Sequence, residues 1–173
     1  VIGGSLGALT LNQSVLKDMH ALEKDGYQVL WQSGKFYFKE MAENLRQTDL
    51  KHIHLREFIR EMDLAYAAAD VIVSRAGALS VSELSLVGKP VVFIPSPNVA
   101  EDHQTKNAMA YVSRQAALLL RDAEAVGKLK STVDPLFADP SIGVALAYNM
   151  NKNAKPDATE SIINELEKHV KLQ

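Results

Sequence analysis

Apolar residues along the chain follow two alternating rhythms: short runs rich in β-branched and aromatic residues, and longer stretches whose apolar positions fall three or four apart. Leu11, Val15, Met19 and Leu22 mark a first helix that ends at Gly26, and Tyr27 to Trp31 reads as a buried strand. An amphipathic helix follows from about Tyr37 to Arg46, then a weaker strand at His52 to Leu55 and an Ala-rich helix from Met62 to Ala69. Val71-Ile72-Val73 and Val91-Val92-Phe93-Ile94 are strands. Between them a helix from Ser80 is closed by Gly88, and Pro90 blocks its continuation. A polar loop from Pro95 to His103 leads into a helix through Asn107 and Met109, and Leu118-Leu119-Leu120 is the last strand. Val1-Ile2 reads as the end of one more strand, which makes six with the first truncated and predicts a longer polypeptide upstream. After Arg121 the pattern is helical only: Ala123 to Phe137, Ser141 to Lys152 and Asp157 to Val170, punctuated by Pro140 and Pro156.

Strands alternating with helices predict an α/β fold, a Rossmann-like parallel sheet of about six strands with helices on both faces and right-handed crossovers, ending in helices. In such a sheet ligands bind beyond the carboxyl ends of the strands, where loops meet helix N-termini. Two strand-to-helix transitions lie back to back between Asp70 and Asn107, and they place Ala78 to Glu83 and Asp102 to Asn107 around one pocket.

Composition narrows the partners. At 173 residues and 47% hydrophobic content, residues 1–173 suit one domain with its own core. The absence of cysteine excludes disulfides, Fe–S clusters and thiolate zinc sites, and the five histidines show no ligand spacing. With 19 basic and 21 acidic residues, the net charge of −2 supplies no polybasic footprint, so no nucleic-acid partner is expected. No apolar run reaches the ~20 residues of a membrane span.

Gly3-Gly4-Ser5-Leu6-Gly7, between a strand end and a helix start, suits a phosphate cradle or a tight turn that lets the helix pack on the sheet. A dinucleotide site fits poorly, because Ile2 stands where G-x-G-x-x-G needs its first glycine and Gln32-Ser33 offers no carboxylate for the ribose. Ser80-Val81-Ser82-Glu83 has capping-box spacing; alternatively Glu83 accepts two hydrogen bonds from a ribose diol. Asp102-His103-Gln104-Thr105 offers polar groups suited to sugar hydroxyls, with Asp102 an N-cap candidate. Arg75 is either a phosphate contact or a paired surface group. Phe58-Ile59 is either a platform for a planar base or ordinary core.

Taken together and in order, Gly3 to Ala8, Glu57-Phe58-Ile59, Ser74 to Glu83, Asp102 to Ala108 and Pro156 to Thr159 resemble the MurG family, bacterial N-acetylglucosaminyltransferases that convert lipid I to lipid II in peptidoglycan synthesis. The resemblance implies the C-terminal, donor-binding half of a two-domain GT-B glycosyltransferase, inactive by itself. The acceptor lipid I, the catalytic base and contact with the cytoplasmic face of the inner membrane then belong to an N-terminal domain. It further implies UDP-GlcNAc as donor, with no metal and no cofactor. Ser5 matches a phosphate contact beside Gly4, and Ile59 a backbone contact to uracil beside Phe58. Ala78, Leu79, Ser80, Val81, Ser82 and Glu83 match the nucleotide cradle, with Glu83 on the ribose. Gln104 matches a sugar contact flanked by His103 and Thr105, and Arg75 accompanies the cradle. One departure is Gln115, where a glycine is usual. UDP-GlcNAc 2-epimerases and the donor-binding subunit of a split transferase share the donor and are the alternative readings.

Overall fold

The structure is a computed structural model that describes residues 1–169. Its strands are β1 (Val29–Gln32), β2 (Ile53–Arg56), β3 (Ile72–Ser74), β4 (Val91–Phe93) and β5 (Leu118–Leu119). All pair in parallel: Val29 lies opposite Ile53, Ile72 opposite Val91, and Val92 opposite Leu118. The expected truncated strand is present as a single residue, Ile2, which bridges Gln32 on one side and Ser74 on the other. Its amide donates to the Val73 carbonyl at 2.8 Å, and the Val1 carbonyl accepts from the Gln32 amide at 2.9 Å. These two residues join β2–β1 to β3–β4–β5 into one sheet.

The helices are α1 (Leu9–Lys24), α2 (Phe38–Arg46), α3 (Met62–Ala68), α4 (Ala78–Val87), α5 (His103–Val112), α6 (Asp122–Ala125), α7 (Leu129–Ala138), α8 (Pro140–Asn151) and α9 (Ala158–His169). Alternation along the strands splits the core between the sheet's two faces. Val73, Val92 and Ile94 pack with Trp31 and with Leu11 and Val15 of α1, whereas Ile72, Val91 and Phe93 pack with Val81 and Leu84 of α4, Ala108 of α5 and Met150 of α8. Helices therefore cover both faces. Burying each such Val, Leu, Ile or Phe contributes about 1.5–3 kcal/mol.

Three expectations need correction. The helix after β3 begins at Ala78 rather than Ser80, with Gly77 in the N-cap position. The helix expected from Ala123 to Phe137 is two helices, because Gly127 between them takes a left-handed φ of +84°. The last expected helix begins at Ala158, and its final residue, Val170, lies outside the described residues. At the departure noted above, Gln115 adopts φ +54°, the left-handed backbone a glycine accepts without strain, and the Asn149 side chain donates to its carbonyl at 3.0 Å.

Gly7 has a second constraint beyond its φ of +94°: a Cβ there would overlap the Ser33 carbonyl oxygen. Gly26, at φ +81°, has open space on that side. Left-handed strain costs about 1–2 kcal/mol and forced overpacking a further ~1–3. In urea denaturation Gly7→Ala is expected to lose about 2–5 kcal/mol of unfolding free energy, and Gly26→Ala about 1. Equal losses would mean that the contact with Ser33 carries no weight.

Candidate functional site

The carboxyl edge of the sheet is built from loops locked to one another. Gly7 and Gly34 approach so closely that a side chain on either would overlap the other's loop, and the Lys35 amide donates to the Ser5 carbonyl at 3.1 Å. Gly4 differs, having φ +82° with nothing within 4 Å of a Cβ position, so its outer side is open. Gly4 and Ser5 are exposed, and no side chain caps α1 behind them. The dipole and unpaired amides of that helix end favour an anion.

Beneath this loop runs a buried polar ladder. Trp31 Nε1 donates to Asn12 Oδ1 at 2.8 Å, and Asn12 Nδ2 donates to the Ser33 carbonyl at 3.0 Å, which fixes α1 against the exit of β1. Gln32 Nε2 donates to the Gly4 carbonyl at 3.1 Å, and Gln32 Oε1 accepts from the Ile59 amide at 2.8 Å. The Phe58-Ile59 pair therefore divides: Ile59 is core, 8% exposed, with its N–H already used, while Phe58 stands 54% exposed at the β2 exit.

At α4 the capping box does not form. Ser80 is the third helical residue, the cap residue Gly77 has no side chain to offer, and Glu83 sits in the second turn. Val81 faces the core, whereas Ala78, Leu79, Ser82 and Glu83 are exposed and Ser80 is half-buried. Glu83 lies beside Tyr66 of α3: burial first, and then the Glu83 carboxylate, push the Tyr66 phenol up from 10.0 to about 12.

The turn before α4 is held from α5. Gln104 Oε1 accepts from the Ser96 amide at 2.9 Å and the Ala76 amide at 3.3 Å, and Asn107 Nδ2 donates to the Ala76 carbonyl at 3.0 Å. The acceptor side of Gln104 is thus occupied, which leaves its amide hydrogens to donate. Asp102 occupies the N-cap position of α5 at φ +54° but makes no side-chain cap, so the expected capping role fails. His103 is exposed, 3.9 Å from the Glu101 carboxylate, and Thr105 is half-buried on the first turn. Arg75 is paired: its Nη1 donates to the Ile94 carbonyl at 2.9 Å and to Asp122, whose other oxygen accepts from Thr10 Oγ1 at 2.9 Å. Through Nη1, Arg75 ties α6 and the start of α1 to the β3 exit.

The bonds of Gln32, Asp122 and Tyr66 were not legible in the sequence, whereas Asn107 lies at the end of the stretch expected around the pocket. A cavity of about 510 Å³ lies elsewhere, in the gap between β1 and β3 beside Val1, lined mainly by apolar groups such as Leu22, Val29, Val71 and Phe137.

Residues 1–166 match the family model of the glycosyltransferase family 28 C-terminal domain. The chain belongs to that family. Its relatives include proteins named UDP-N-acetylglucosamine–N-acetylmuramyl-(pentapeptide) pyrophosphoryl-undecaprenol N-acetylglucosamine transferase. That of Cytophaga hutchinsonii is 50% identical over 96% of this chain and 44% of its own length, and that of Christiangramia forsetii is 49% identical over 97% and 45%. The crystal structure of Acinetobacter baumannii MurG superposes with a TM-score of 0.80 at 28% identity, covering 96% of this chain and 48% of that one. The family 28 domain described here spans less than half the length of these relatives.

A phenol whose folded pKa is raised gives stability that is present below pH 10 and lost as pH rises through about 12. In Glu83→Gln, with the charge gone and burial retained, Tyr66 is expected to titrate below about 12 but above its ordinary 10.0, read by ultraviolet difference against Tyr66→Phe. An unmoved Tyr66 titration would separate the two side chains in solution.

Proposed function

We propose that this chain is the donor-binding half of a glycosyltransferase that moves GlcNAc from UDP-GlcNAc to the lipid-borne acceptor lipid I, forming lipid II in peptidoglycan synthesis. The observation that carries it is the pair of anion-ready turns that follow the bridged residues Ile2 and Ser74 at the sheet edge: the open Gly4-Ser5 loop at the uncapped start of α1, and the Gly77 turn, held by Gln104 and Asn107, at the uncapped start of α4. Such a pair suits a pyrophosphate. The named activity of the relatives supports the sugar and the acceptor.

In this reading Ser5 and the α1 amides meet phosphate. Ala78, Leu79, Ser80, Val81 and Ser82 cradle the nucleotide, and Glu83 holds the ribose diol. Because the Ile59 N–H is donated to Gln32, the backbone group of Ile59 left for the base is its carbonyl, an acceptor that matches uracil N3–H, with exposed Phe58 beside it. The acceptor, the catalytic base and peripheral contact with the inner membrane's cytoplasmic face belong to the part of the relatives this chain does not span. No helix among the described residues is long and apolar enough to cross a membrane.

Calorimetry on the chain tests the donor reading. UDP and UDP-GlcNAc are expected to bind, NAD is not, and no lipid II is expected to form. Glu83→Gln should weaken UDP about tenfold or more, since charge-assisted hydrogen bonds contribute roughly 1.5–3 kcal/mol. NAD binding without UDP binding would overturn the assignment.

The occupied acceptor of Gln104 sharpens the test of sugar selection. Gln104→Ala leaves the Ser96 and Ala76 amides unpaired and disturbs the turn, so it cannot isolate sugar recognition. Gln104→Glu keeps an acceptor oxygen for both amides, loses the donor and adds a negative charge. It is expected to reduce the preference for UDP-GlcNAc over UDP-GalNAc, a ratio in which the added charge cancels because both donors carry the same diphosphate. An unaltered preference would remove Gln104 from sugar reading.

A further inference from the structure

Among the described residues, Gln32 is the one buried side chain that hydrogen-bonds to both the Gly4 loop and the Ile59 loop of the proposed site. It closes β1, is 3% exposed, and lies between Ile2 and Arg56 in the sheet register. Oε1 faces an amide N–H and Nε2 faces a carbonyl, so the orientation of the side-chain amide is determined by its partners. Those partners are Gly4, 28 residues away in the phosphate loop, and Ile59, 27 residues away in the base loop.

We propose that Gln32 is a positioning residue of the donor site, which sets the spacing between the phosphate loop at Gly4 and the base loop at Ile59 so that a nucleoside diphosphate is bound as one unit. This rests on the donor reading above. A ligand that engages two subsites gains from being joined only when the protein holds those subsites at the matching separation; otherwise part of the gain goes into ordering them. The backbone supplies part of that separation, through the Ser33 amide to the Arg56 carbonyl at 3.0 Å and the Gly34 amide to the Glu57 carbonyl at 3.2 Å. Those bonds fix the β1 exit to the β2 exit. Among the described residues, only the Gln32 side chain reaches from Gly4 across to Ile59 itself, the residue proposed to meet the base.

The test compares the whole ligand with its halves. Calorimetry of the chain and of Gln32→Met, which fills similar space without hydrogen bonds, would use UDP, uridine and inorganic pyrophosphate. UDP affinity is expected to fall about tenfold or more, while uridine and pyrophosphate, each held by one loop, stay within about twofold. An unchanged UDP affinity, or an equal fall for all three, would overturn the assignment. Amide exchange on the unaltered chain gives an arm that does not depend on the variant folding: the Ile59 amide should be protected well beyond its neighbours Phe58 and Arg60. Exchange at the rate of an open loop would show that the tether does not persist and would also overturn it. A chain that binds none of the three ligands contradicts the donor reading itself, whereas failure of this inference alone leaves UDP bound by the unaltered chain.

Discussion

The contact between Gly7 and Gly34, closer than any side chain permits, is the constraint on which the rest of the site depends. It presses the loop after Ile2 onto the loop after β1, and only then can the Ser5 carbonyl take the Lys35 amide and the Gly4 carbonyl take the Gln32 amide. Two residues with positive φ, at +94° and +79°, make that approach possible without strain. Gly4 has the same backbone freedom for the opposite purpose. Its side faces space, so the three glycines divide between packing inward and leaving room outward.

Much of the architecture was legible because it is written in short-range periodicity. The rhythm of strand and helix located β1 to β5 and most helices, and the carboxyl-edge rule named the loops that lie together at the candidate site. What the sequence hid are side chains whose partners lie far away in the chain. Nothing local to Gln32 announces bonds to Gly4 and Ile59, and nothing local to Arg75 announces Asp122, 47 residues on. The capping box misled for a related reason. Ser80 and Glu83 have the right spacing, but Gly77 already turns the chain into α4, and a helix that starts at Ala78 puts Ser80 inside it. Gly127 broke a helix that apolar spacing alone would have continued.

In the proposed donor reading, several polar side chains serve loop geometry and ligand-facing chemistry together. Gln104 holds two loop amides with its oxygen, and in that reading its nitrogen meets the sugar, so truncation would remove a structural bond along with a recognition bond. Glu83 stands next to the Tyr66 phenol and is exposed on the second turn of α4. In both cases a conservative exchange that alters one function is more informative than alanine, because the buried partner of the other function stays satisfied.

The Thr10–Asp122–Arg75 chain shows why such bonds persist where they add little to stability. Arg75 and Asp122 are largely removed from water, with side chains 15% and 18% exposed, and the desolvation of such a pair offsets most of its attraction. Its consequence is geometric. Thr10 lies in the first turn of α1, Arg75 leads into the Gly77 turn, and the Ile94 carbonyl ends the strand between that turn and α5. One carboxylate therefore registers the start of α1 against the start of α4 across the sheet edge, while Gln104 and Asn107 register α5 against the same turn. With those helix ends already fixed relative to one another, a ligand that spans them spends little binding energy on ordering the protein.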